Sequence, residues 1–315
     1  MIVTLTAHPS LDRTITLDDV LRPGEVQAAA SAREDAGGKG INVARVITAA
    51  GVDAIAVLPL AVDDPFDSVL QASGLHAVRV PVSGHVRANL TITDPAGLTT
   101  KLNLPGARLG PDDQASVIEA AVTASAGARW LVLAGSLPPG AADGFYVDVV
   151  RAVRSAHGAA APLIAVDTSG AALAAVVADA EPDLIKPNDD ELAELAGIDL
   201  DAGADLTAEV LRVARTIVPD RARAALITLG AAGAVLVSAD GAWAGTPPPI
   251  RVVSTVGAGD SSLAGYLLAD VDGAAPEDRL RRSMRYGAAA ASLAGTQAPR
   301  PGDLPAGDIP VRPLT

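Results

Sequence analysis

A glycine-rich stretch late in the chain combines a carboxylate with backbone groups that could bind an anion. Gly257, Ala258 and Gly259 precede Asp260 at a predicted helix start, and the apolar residues 252–253 predict a strand before the turn. Glycines let N–H groups approach a bound group, and a helix start adds unpaired donors and a positive dipole end. The carboxylate could take a proton from a hydroxyl, or it could simply cap the helix. These residues alone favour neither role.

A second glycine-rich stretch surrounds one of only three lysines in the chain. The sequence Gly37-Gly38-Lys39-Gly40 directly precedes a predicted helix that begins near Ile41. It is not a Walker A phosphate loop, because neither Ser nor Thr follows the lysine. The stretch is either a flexible turn with an exposed lysine or a contact to an anion or a sugar. Its place before a helix favours the contact.

Polar side chains follow several predicted strands at their carboxyl ends. Asp12 comes shortly after the strand predicted over Ile2 to Ala7, Ser136 follows a buried strand, and Asn188 with Glu191 follows another. In open α/β sheets, ligands bind at this edge, so these residues are candidates for polar contacts. Asp12 could also be an ordinary loop acid. Asn188 and Glu191 have the spacing of a helix-capping box, which by itself would account for both.

Composition excludes several classes of protein. The chain has 315 residues, 49% of them apolar, and a formal net charge of −13, which argues against sequence-independent nucleic-acid binding. An anionic ligand must therefore be held by a few placed cations. Without cysteine there is no disulfide or thiolate metal site, and the four histidines lack ligand spacing. No apolar run suits a bilayer and the start lacks signal-peptide features, so we expect no membrane contact and a cytoplasmic location.

Strands and helices alternate along most of the chain, which predicts a mostly parallel sheet with helices on both faces. Residues 87–93 and 99–104 instead alternate in period two around a turn, as in a hairpin, and with short β stretches in 14–35 they predict a small separate sheet. The expected domains are a main α/β unit of residues 1–8, 36–85 and 107–315 and a discontinuous β lid of residues 9–35 and 86–106. The Pro/Gly-rich tail after Gln297 is expected to be loosely ordered.

Six motifs stand in the order found in the PfkB family of the ribokinase superfamily. They are Pro9-Ser10-Leu11-Asp12, Gly37-Gly38-Lys39-Gly40-Ile41-Asn42-Val43-Ala44, Gly135-Ser136-Leu137-Pro138, Lys186-Pro187-Asn188 with Glu191, Thr228-Leu229-Gly230 with Gly233, and Ser254-Thr255-Val256-Gly257-Ala258-Gly259-Asp260-Ser261. Each is weak alone, but six in order are specific. The chain resembles this family over nearly its whole length, and most closely its 1-phosphofructokinase branch. One departure is His8, where relatives usually carry Asn.

The resemblance implies a ribokinase-like fold with a β lid, the cofactors ATP and Mg²⁺, and homodimers formed through the lid. It implies a kinase that converts fructose 1-phosphate to fructose 1,6-bisphosphate, in fructose metabolism and glycolysis. Tagatose 6-phosphate kinase and 6-phosphofructokinase are the alternatives, since they use the same site turned end for end. Asp260 would be the general base, and the N–H groups of Gly257, Ala258 and Gly259 would stabilise the transferred phosphoryl group.

The resemblance also assigns the binding residues. Those for the sugar phosphate are Asp12, Gly38, Lys39, Asn42, Arg87 and Ser136. Those for the nucleotide are Lys186, Asn188, Thr228, Gly230, Gly233, Thr255, Gly257 and Gly259. Asn188 and Glu191 would hold Mg²⁺ through water, which suits a cation that dehydrates reluctantly. Two cations, Lys39 and Arg87, near the sugar pocket fit a phosphorylated ketose better than a neutral sugar or a nucleoside.

Two other functions explain the residues less well. A dinucleotide-dependent oxidoreductase would need a third glycine where Ser262 stands, and too few residues follow for its binding unit. A non-catalytic sugar-phosphate or nucleotide sensor on the same fold would have no need of a base at Asp260. The two classes are separated from a kinase by whether the protein releases ADP in the presence of a ketose phosphate.

Overall fold

The structure, a computed structural model, describes residues 1–201 and 204–315, and its strands form two sheets. The strands are β1 (Ile2–Leu5), β2 (Ser10–Leu17), β3 (Ala29–Gly37), β4 (Ala54–Leu60), β5 (Ala77–Pro81), β6 (Arg87–Thr93), β7 (Thr99–Asn103), β8 (Trp130–Ala134), β9 (Leu163–Asp167), β10 (Leu184–Ile185), β11 (Ala224–Thr228), β12 (Ala234–Ser238), β13 (Gly241–Gly245) and β14 (Val311–Leu314). The helices are α1 (Lys39–Ala49), α2 (Phe66–Ala72), α3 (Pro111–Ala124), α4 (Phe145–His157), α5 (Gly170–Asp179), α6 (Asp189–Ala196), α7 (Leu206–Ala214), α8 (Ala258–Val271) and α9 (Pro276–Ala291).

The main sheet has ten strands in the order β14-β13-β12-β11-β10-β9-β8-β1-β4-β5. The seven strands from β11 to β5 are parallel, and the last three at the other edge pair antiparallel. Central strands such as β1 and β8 are buried along their whole length, because helices cover both faces. One face packs on α3 to α7, and the other on α1, α2, α8 and α9. The predicted α/β fold is confirmed.

The small sheet has four strands in the order β3-β2-β6-β7. Strands β6 and β7 form the predicted hairpin, and β2 joins them by pairing parallel to β6. All seven residues of β6 are half-buried, so this sheet has no covered core of its own. The separate sheet was therefore predicted correctly, whereas the division into two domains at the stated residues stays a prediction.

Two predictions about local structure were wrong. Residues 252–253 form no strand, and their side chains are more than half exposed; instead the Val253 N–H donates to Ala291 O of α9 at 2.8 Å. The tail after Gln297 is not loosely ordered, because β14 pairs with β13 at the edge of the main sheet. An edge strand tolerates Pro313, since a proline there breaks no inner ladder. The glycine- and alanine-rich β13 was missed by the sequence pattern.

The topology brings the predicted residues Lys39, Asn42, Lys186 and Asp260 to one edge of the main sheet, whereas Asp12 and Arg87 lie in the small sheet. Asp167 ends β9 and pairs with Ala134 at the end of β8, while Lys186 directly follows β10. The first turns of α1 and α8 meet at the same edge, where the Asn42 side chain reaches Asp260. The carboxyl ends of parallel strands are where α/β proteins bind ligands. Among the helices that the structure describes, none combines the length and the apolar character needed to cross a membrane.

Candidate active site

Asp260 lies buried in the first turn of α8, with 6% of its surface exposed. The Asn42 Nδ2 donates a hydrogen bond to its Oδ2 at 2.8 Å. Burial, with the nearby charge of Asp167, raises the pKa of Asp260 to about 6, although Asn42 and two lysines oppose the shift. The residue at the N-cap of α8 is Gly257, and no side chain caps this helix. The carboxylate is therefore held by a side chain from another helix and does not serve as a cap.

Asp167 is the centre of a charged cluster beside Asp260, and sequence reasoning missed it. It is fully buried, and its two oxygens lie 2.7 Å from Lys39 Nζ and 3.1 Å from Lys186 Nζ. Burial by itself would raise the pKa of Asp167, but the two ammonium groups outweigh burial and lower it. The signal that could have found this residue was its place as the last residue of a buried strand, β9.

The turn before α8 presents backbone donors at the same place. Gly257 adopts a φ of 76°, in the left-handed region that favours glycine. Neither the Gly259 N–H nor the Asp260 N–H has an acceptor in the described part of the chain. A Cβ on Gly259 would lie 3.3 Å from Lys186 Nζ, so the ammonium group borders the turn. The turn can thus bind an anion, as the sequence predicted.

A second carboxylate, Asp12, is half-buried in β2 of the small sheet. Its Oδ1 accepts hydrogen bonds of 2.8 Å from Ser10 Oγ and from Asn89 Nδ2, which lies opposite it in β6. Burial raises the pKa of Asp12, while these two bonds and Arg87 oppose the rise. A side chain on Gly37 would overlap Asp12 Oδ2, so only glycine fits there. Asn89 was not predicted, although its place in the alternating hairpin could have shown which face it shares.

Arg87 and His8 lie together where the chain passes between the two sheets. The Arg87 Nε and both His8 ring nitrogens are buried without a hydrogen-bond partner in the described residues. Burial, with the charge of Arg87, lowers the pKa of His8 to about 4, so the ring is neutral at neutral pH. A Cβ on Gly106 would lie 2.7 Å from His8 Nε2 and 2.9 Å from the Arg87 N. His8 therefore packs against the start of β6.

Buried polar atoms without partners surround both carboxylates. Asn42 Oδ1 belongs to the side chain that holds Asp260, and Asn89 Oδ1 to one that holds Asp12. With Arg87 Nε and Thr6 Oγ1 they form a set that remains unsatisfied within the described chain. Such groups are rare in folded proteins and need an external partner. Donors and acceptors of this kind suit a ligand that has several hydroxyls and an anionic group.

The capping box predicted at Asn188 is confirmed. Asn188 Oδ1 accepts from the Glu191 N–H at 2.7 Å, and Glu191 Oε2 accepts from the Asn188 N–H at 2.9 Å. A bridge also joins Asn188 to Thr228 at the end of β11. No group of three or more acidic, histidine or cysteine side chains suited to a metal occurs in the described residues. One carboxylate beside one amide fits Mg²⁺ that keeps most of its water, and does not fit a cage of protein ligands.

The other predicted residues lie in loops at the same edge of the main sheet. Ser136 is exposed just after β8, and Thr255 is exposed before α8. Gly230 begins the short turn between β11 and β12, and Gly233 ends it; a side chain on Gly233 would overlap Gly245 O. Asn42 donates directly to Asp260, and Asp167 contacts both Lys39 and Lys186. The charge of Asp167 acts on Asp260, and the charge of Arg87 acts on Asp12. Whether each residue binds a ligand stays a prediction.

Comparison with known proteins bears directly on this arrangement. The family model described as pfkB family carbohydrate kinase matches residues 8–302. The chain belongs to the pfkB family. The resemblance read from the six motifs is thereby confirmed. The matched region contains Asp12, Asp260 and all strands of the two sheets except β1 and β14.

Relatives within the pfkB family cover nearly the whole chain. The chain is 35% identical over 286 residues to a 1-phosphofructokinase of Xanthomonas campestris, across 89% of this chain and 87% of the relative. It is 32% identical to the ATP-dependent 6-phosphofructokinase isozyme 2 of Escherichia coli, with 94% of each chain covered. The crystal structure of Escherichia coli phosphofructokinase-2 in complex with fructose-6-phosphate has a TM-score of 0.83 at 29% identity, with 96% of each chain covered.

Proposed function

We propose that this pfkB-family chain transfers the γ-phosphoryl group of ATP to the 6-hydroxyl of fructose 1-phosphate and forms fructose 1,6-bisphosphate. The observation that carries the proposal is a buried carboxylate, Asp260, at a turn with free N–H donors. Towards the small sheet lie the half-buried Asp12 and Arg87, whose Nε has no hydrogen-bond partner in the described residues. Relatives named 1-phosphofructokinase at 32–35% identity support the choice of sugar.

Asp260 acts as the general base. It accepts the proton of the substrate hydroxyl as that oxygen attacks the γ-phosphorus, and the hydrogen bond from Asn42 holds the carboxylate in place. A pKa of about 6 leaves the group deprotonated near neutral pH and still basic enough to accept a proton. Since phosphoryl transfer has a loose transition state, positioning and charge stabilisation contribute more than the strength of the base.

The turn before α8 stabilises the phosphoryl group during transfer. The N–H groups of Gly257, Ala258 and Gly259 stabilise the charge that develops on its oxygens, and for this the Ala258 N–H exchanges its present acceptor, Thr255 O at 3.3 Å, for a phosphoryl oxygen. Lys186 borders the same turn. Lys39, which shares Asp167 with Lys186, contributes a second positive charge next to the base. Lys39, which the resemblance assigns to the sugar phosphate, contacts Asp167 near the base, and its contact to the sugar phosphate stays a prediction.

The sugar phosphate occupies the space towards the small sheet. Asp12 accepts hydrogen bonds from sugar hydroxyls, because Ser10 and Asn89 fix its orientation without using Oδ2. Arg87, with Ser136 from the loop after β8, binds the phosphate already on the sugar. Gly38 and Asn42 complete the contacts to the hydroxyls.

The cofactors in this proposal are ATP and Mg²⁺. Asn188 and Glu191 hold the metal through water, and the metal supplies positive charge that neutralises the nucleotide phosphates. Thr228, Gly230, Gly233 and Thr255 border the nucleotide, where the glycines leave room for it. The divalent ion and ATP are supported by membership of a family of carbohydrate kinases.

We place the enzyme in the cytoplasm and assign it to fructose metabolism and glycolysis. We also propose a homodimer joined through the small sheet. Its support is apolar surface on and beside β7, where Leu98, Leu102 and Leu104 are 45–63% exposed. A neighbour in structure is described as the tetrameric inhibited form of Escherichia coli phosphofructokinase-2. Light scattering on the purified protein measures the oligomeric state, and a monomer at all concentrations contradicts this part.

A second candidate activity is phosphorylation at the 1-hydroxyl of fructose 6-phosphate or tagatose 6-phosphate. The similarity to the Escherichia coli 6-phosphofructokinase isozyme 2 favours it. Both reactions form a ketohexose bisphosphate. In the second one the sugar binds in the opposite orientation, with its 6-phosphate where the 1-phosphate would lie in the first.

The test is ADP release by the purified protein with fructose 1-phosphate, fructose 6-phosphate, tagatose 6-phosphate and unphosphorylated fructose. We expect the highest kcat/KM with fructose 1-phosphate and the lowest with free fructose. A preference for either 6-phosphate replaces the first candidate by the second. If the protein phosphorylates only unphosphorylated sugars, the role of Arg87 is overturned. If it binds a sugar phosphate but releases ADP with none of the four sugars, it is a sensor.

A further inference from the structure

Asp167 is a fully buried carboxylate to which the proposed mechanism gives no direct part. We infer that Asp167 is a positioning residue for phosphoryl transfer, holding the ammonium groups of Lys39 and Lys186 beside Asp260. The inference rests on the proposed function and deepens it, because it names the residue that organises the cations around the reacting group.

The geometry shows one carboxylate joining three elements of the fold. Asp167 ends β9, Lys39 begins α1, and Lys186 directly follows β10. Each oxygen of Asp167 contacts a different ammonium group, at 2.7 Å for Lys39 and 3.1 Å for Lys186. The two lysines are far apart in sequence, so their shared position depends on this carboxylate.

The charges of both ammonium groups act on Asp260, although Lys186 is buried and only Lys39 is partly exposed. The Lys186 Nζ lies against Gly259, in the turn that presents free N–H donors. The Lys39 side chain is 38% exposed, although its partner is fully buried. A buried ion pair is costly to desolvate and adds little stability compared with apolar packing. The arrangement is therefore better explained by a task at the site than by stability.

Asp270 provides a matched comparison within the same structure. It is also a buried carboxylate that bridges two cations, Arg129 at 3.0 Å and Arg279 at 2.9 Å. It additionally accepts a hydrogen bond from Trp130 Nε1 at 2.8 Å. Trp130 begins β8, so this cluster lies at the opposite edge of the main sheet from Asp260. Asp270, like Asp167, is a buried carboxylate that contacts two cations, but it lies far from the proposed base.

Asp167 also acts on the base through its charge. The groups that face Asp260 are Asp167 from β9, Lys186 after β10, and Lys39 and Asn42 from α1. After burial, the charge of Asp167 is the next cause that raises the pKa of Asp260, whereas the amide and the two lysines lower it. Removing the negative charge of Asp167 therefore changes the pKa of the base. Loss of this charge by itself lowers the pKa of Asp260, and displacement of the two lysines opposes that change.

The experiment compares Asp167→Asn, Asp167→Glu and Asp270→Asn with the unaltered enzyme over a range of pH. For Asp167→Asn we expect kcat to fall about 100-fold, the lower end of the effect of losing one preorganised electrostatic contact. Its KM for the sugar phosphate stays within about threefold, because Asp12 and Arg87 are untouched. The acid limb of its kcat profile moves, to lower pH if the two lysines keep their places and to higher pH if they leave. Asp167→Glu keeps the charge and therefore keeps the acid limb.

Asp270→Asn tests whether loss of any buried carboxylate has the same result. We expect it to lower the melting temperature and to leave the acid limb where it was. If Asp167→Asn retains both kcat and the acid limb, or loses activity only in step with its folded fraction as Asp270→Asn does, the inference is overturned.

A titration of the aspartate carboxyl groups by carbon NMR separates this inference from the proposed function. If the unaltered protein turns over none of the ketose phosphates, the proposed function is contradicted and the inference about Asp167 is not. The NMR titration still reports the pKa of Asp260 in that case. A pKa that is the same in the unaltered protein and in Asp167→Asn contradicts the inference, whatever the activity.

Discussion

The two ends of the site are built on different parts of the fold. The transfer end, with Asp260, Asp167, Lys39 and Lys186, lies on buried strands and helix starts of the main sheet. The sugar end, with Asp12 and its neighbours, lies on the half-buried small sheet. The difference teaches that the geometry of the chemistry is set by the most rigidly packed part of the molecule. Recognition of the substrate is left to a sheet with little core of its own, which is free to adjust to what it binds.

Replacing the base gives the largest contrast between the two ends. We expect Asp260→Asn to lose about 10²- to 10⁴-fold in kcat, the range for removal of a general base, with the KM for the sugar phosphate nearly unchanged. Steady-state kinetics with the preferred ketose phosphate measures both constants. Near-normal kcat in this variant would mean that the carboxylate only orders the first turn of α8.

Replacing the cation at the sugar end has the opposite signature. Arg87→Ala removes a charge-assisted contact of about 1.5–3 kcal/mol, so KM for the phosphorylated sugar rises about 10- to 100-fold while kcat changes less. Activity on free fructose changes little. Arg13→Ala is the control, because Arg13 is an exposed arginine in the same sheet that pairs with Glu34. Equal effects of both variants on KM would show that Arg87 acts only through the general charge of the sheet.

The pH dependence of kcat belongs to the transfer end. Because burial raises the pKa of Asp260 to about 6, the base is increasingly protonated below that pH, and kcat falls by about tenfold per pH unit there. Arg87→Ala leaves this limb in place, since it lies at the other end of the site. The measurement is kcat from pH 4.5 to 8 at saturating substrates. A limb near pH 4 instead would show that burial has little influence on this carboxylate.

The two sheets should also differ in how much a leucine in each contributes to the free energy of unfolding, and this difference has the smallest effect on activity. Leu131 in β8 is fully buried, and Leu131→Ala should reduce the free energy of unfolding by about 2–5 kcal/mol. Leu102 in β7 is 52% exposed, and Leu102→Ala should change it by no more than about 0.5 kcal/mol. Urea unfolding at low protein concentration measures both. A large effect at Leu102 that grows with protein concentration would show a second copy of the chain covering the small sheet.

Much of the site could be predicted because its residues lie in local patterns. The Gly257 to Asp260 turn, the Lys39 loop and the Asn188 capping box each combine glycines or caps with a helix start, and such signals are readable within a few residues. The hairpin of β6 and β7 was equally clear from its period of two. Predictions failed where a short apolar pair, residues 252–253, resembled a strand, because pairing depends on a neighbouring strand that local sequence does not reveal.

The sequence by itself determined the family, the α/β alternation and the candidate base, because these depend on local residue types and on motifs in order. Only the tertiary structure decided what each charge faces. It placed Lys39 on Asp167, gave Asp260 the side chain of Asn42 in place of a capping role, and put Asn89 beside Asp12. These contacts join residues that are 77–218 positions apart in the chain. Burial and opposite charges act through space, so they become visible only when the strands are in register and the helices are packed.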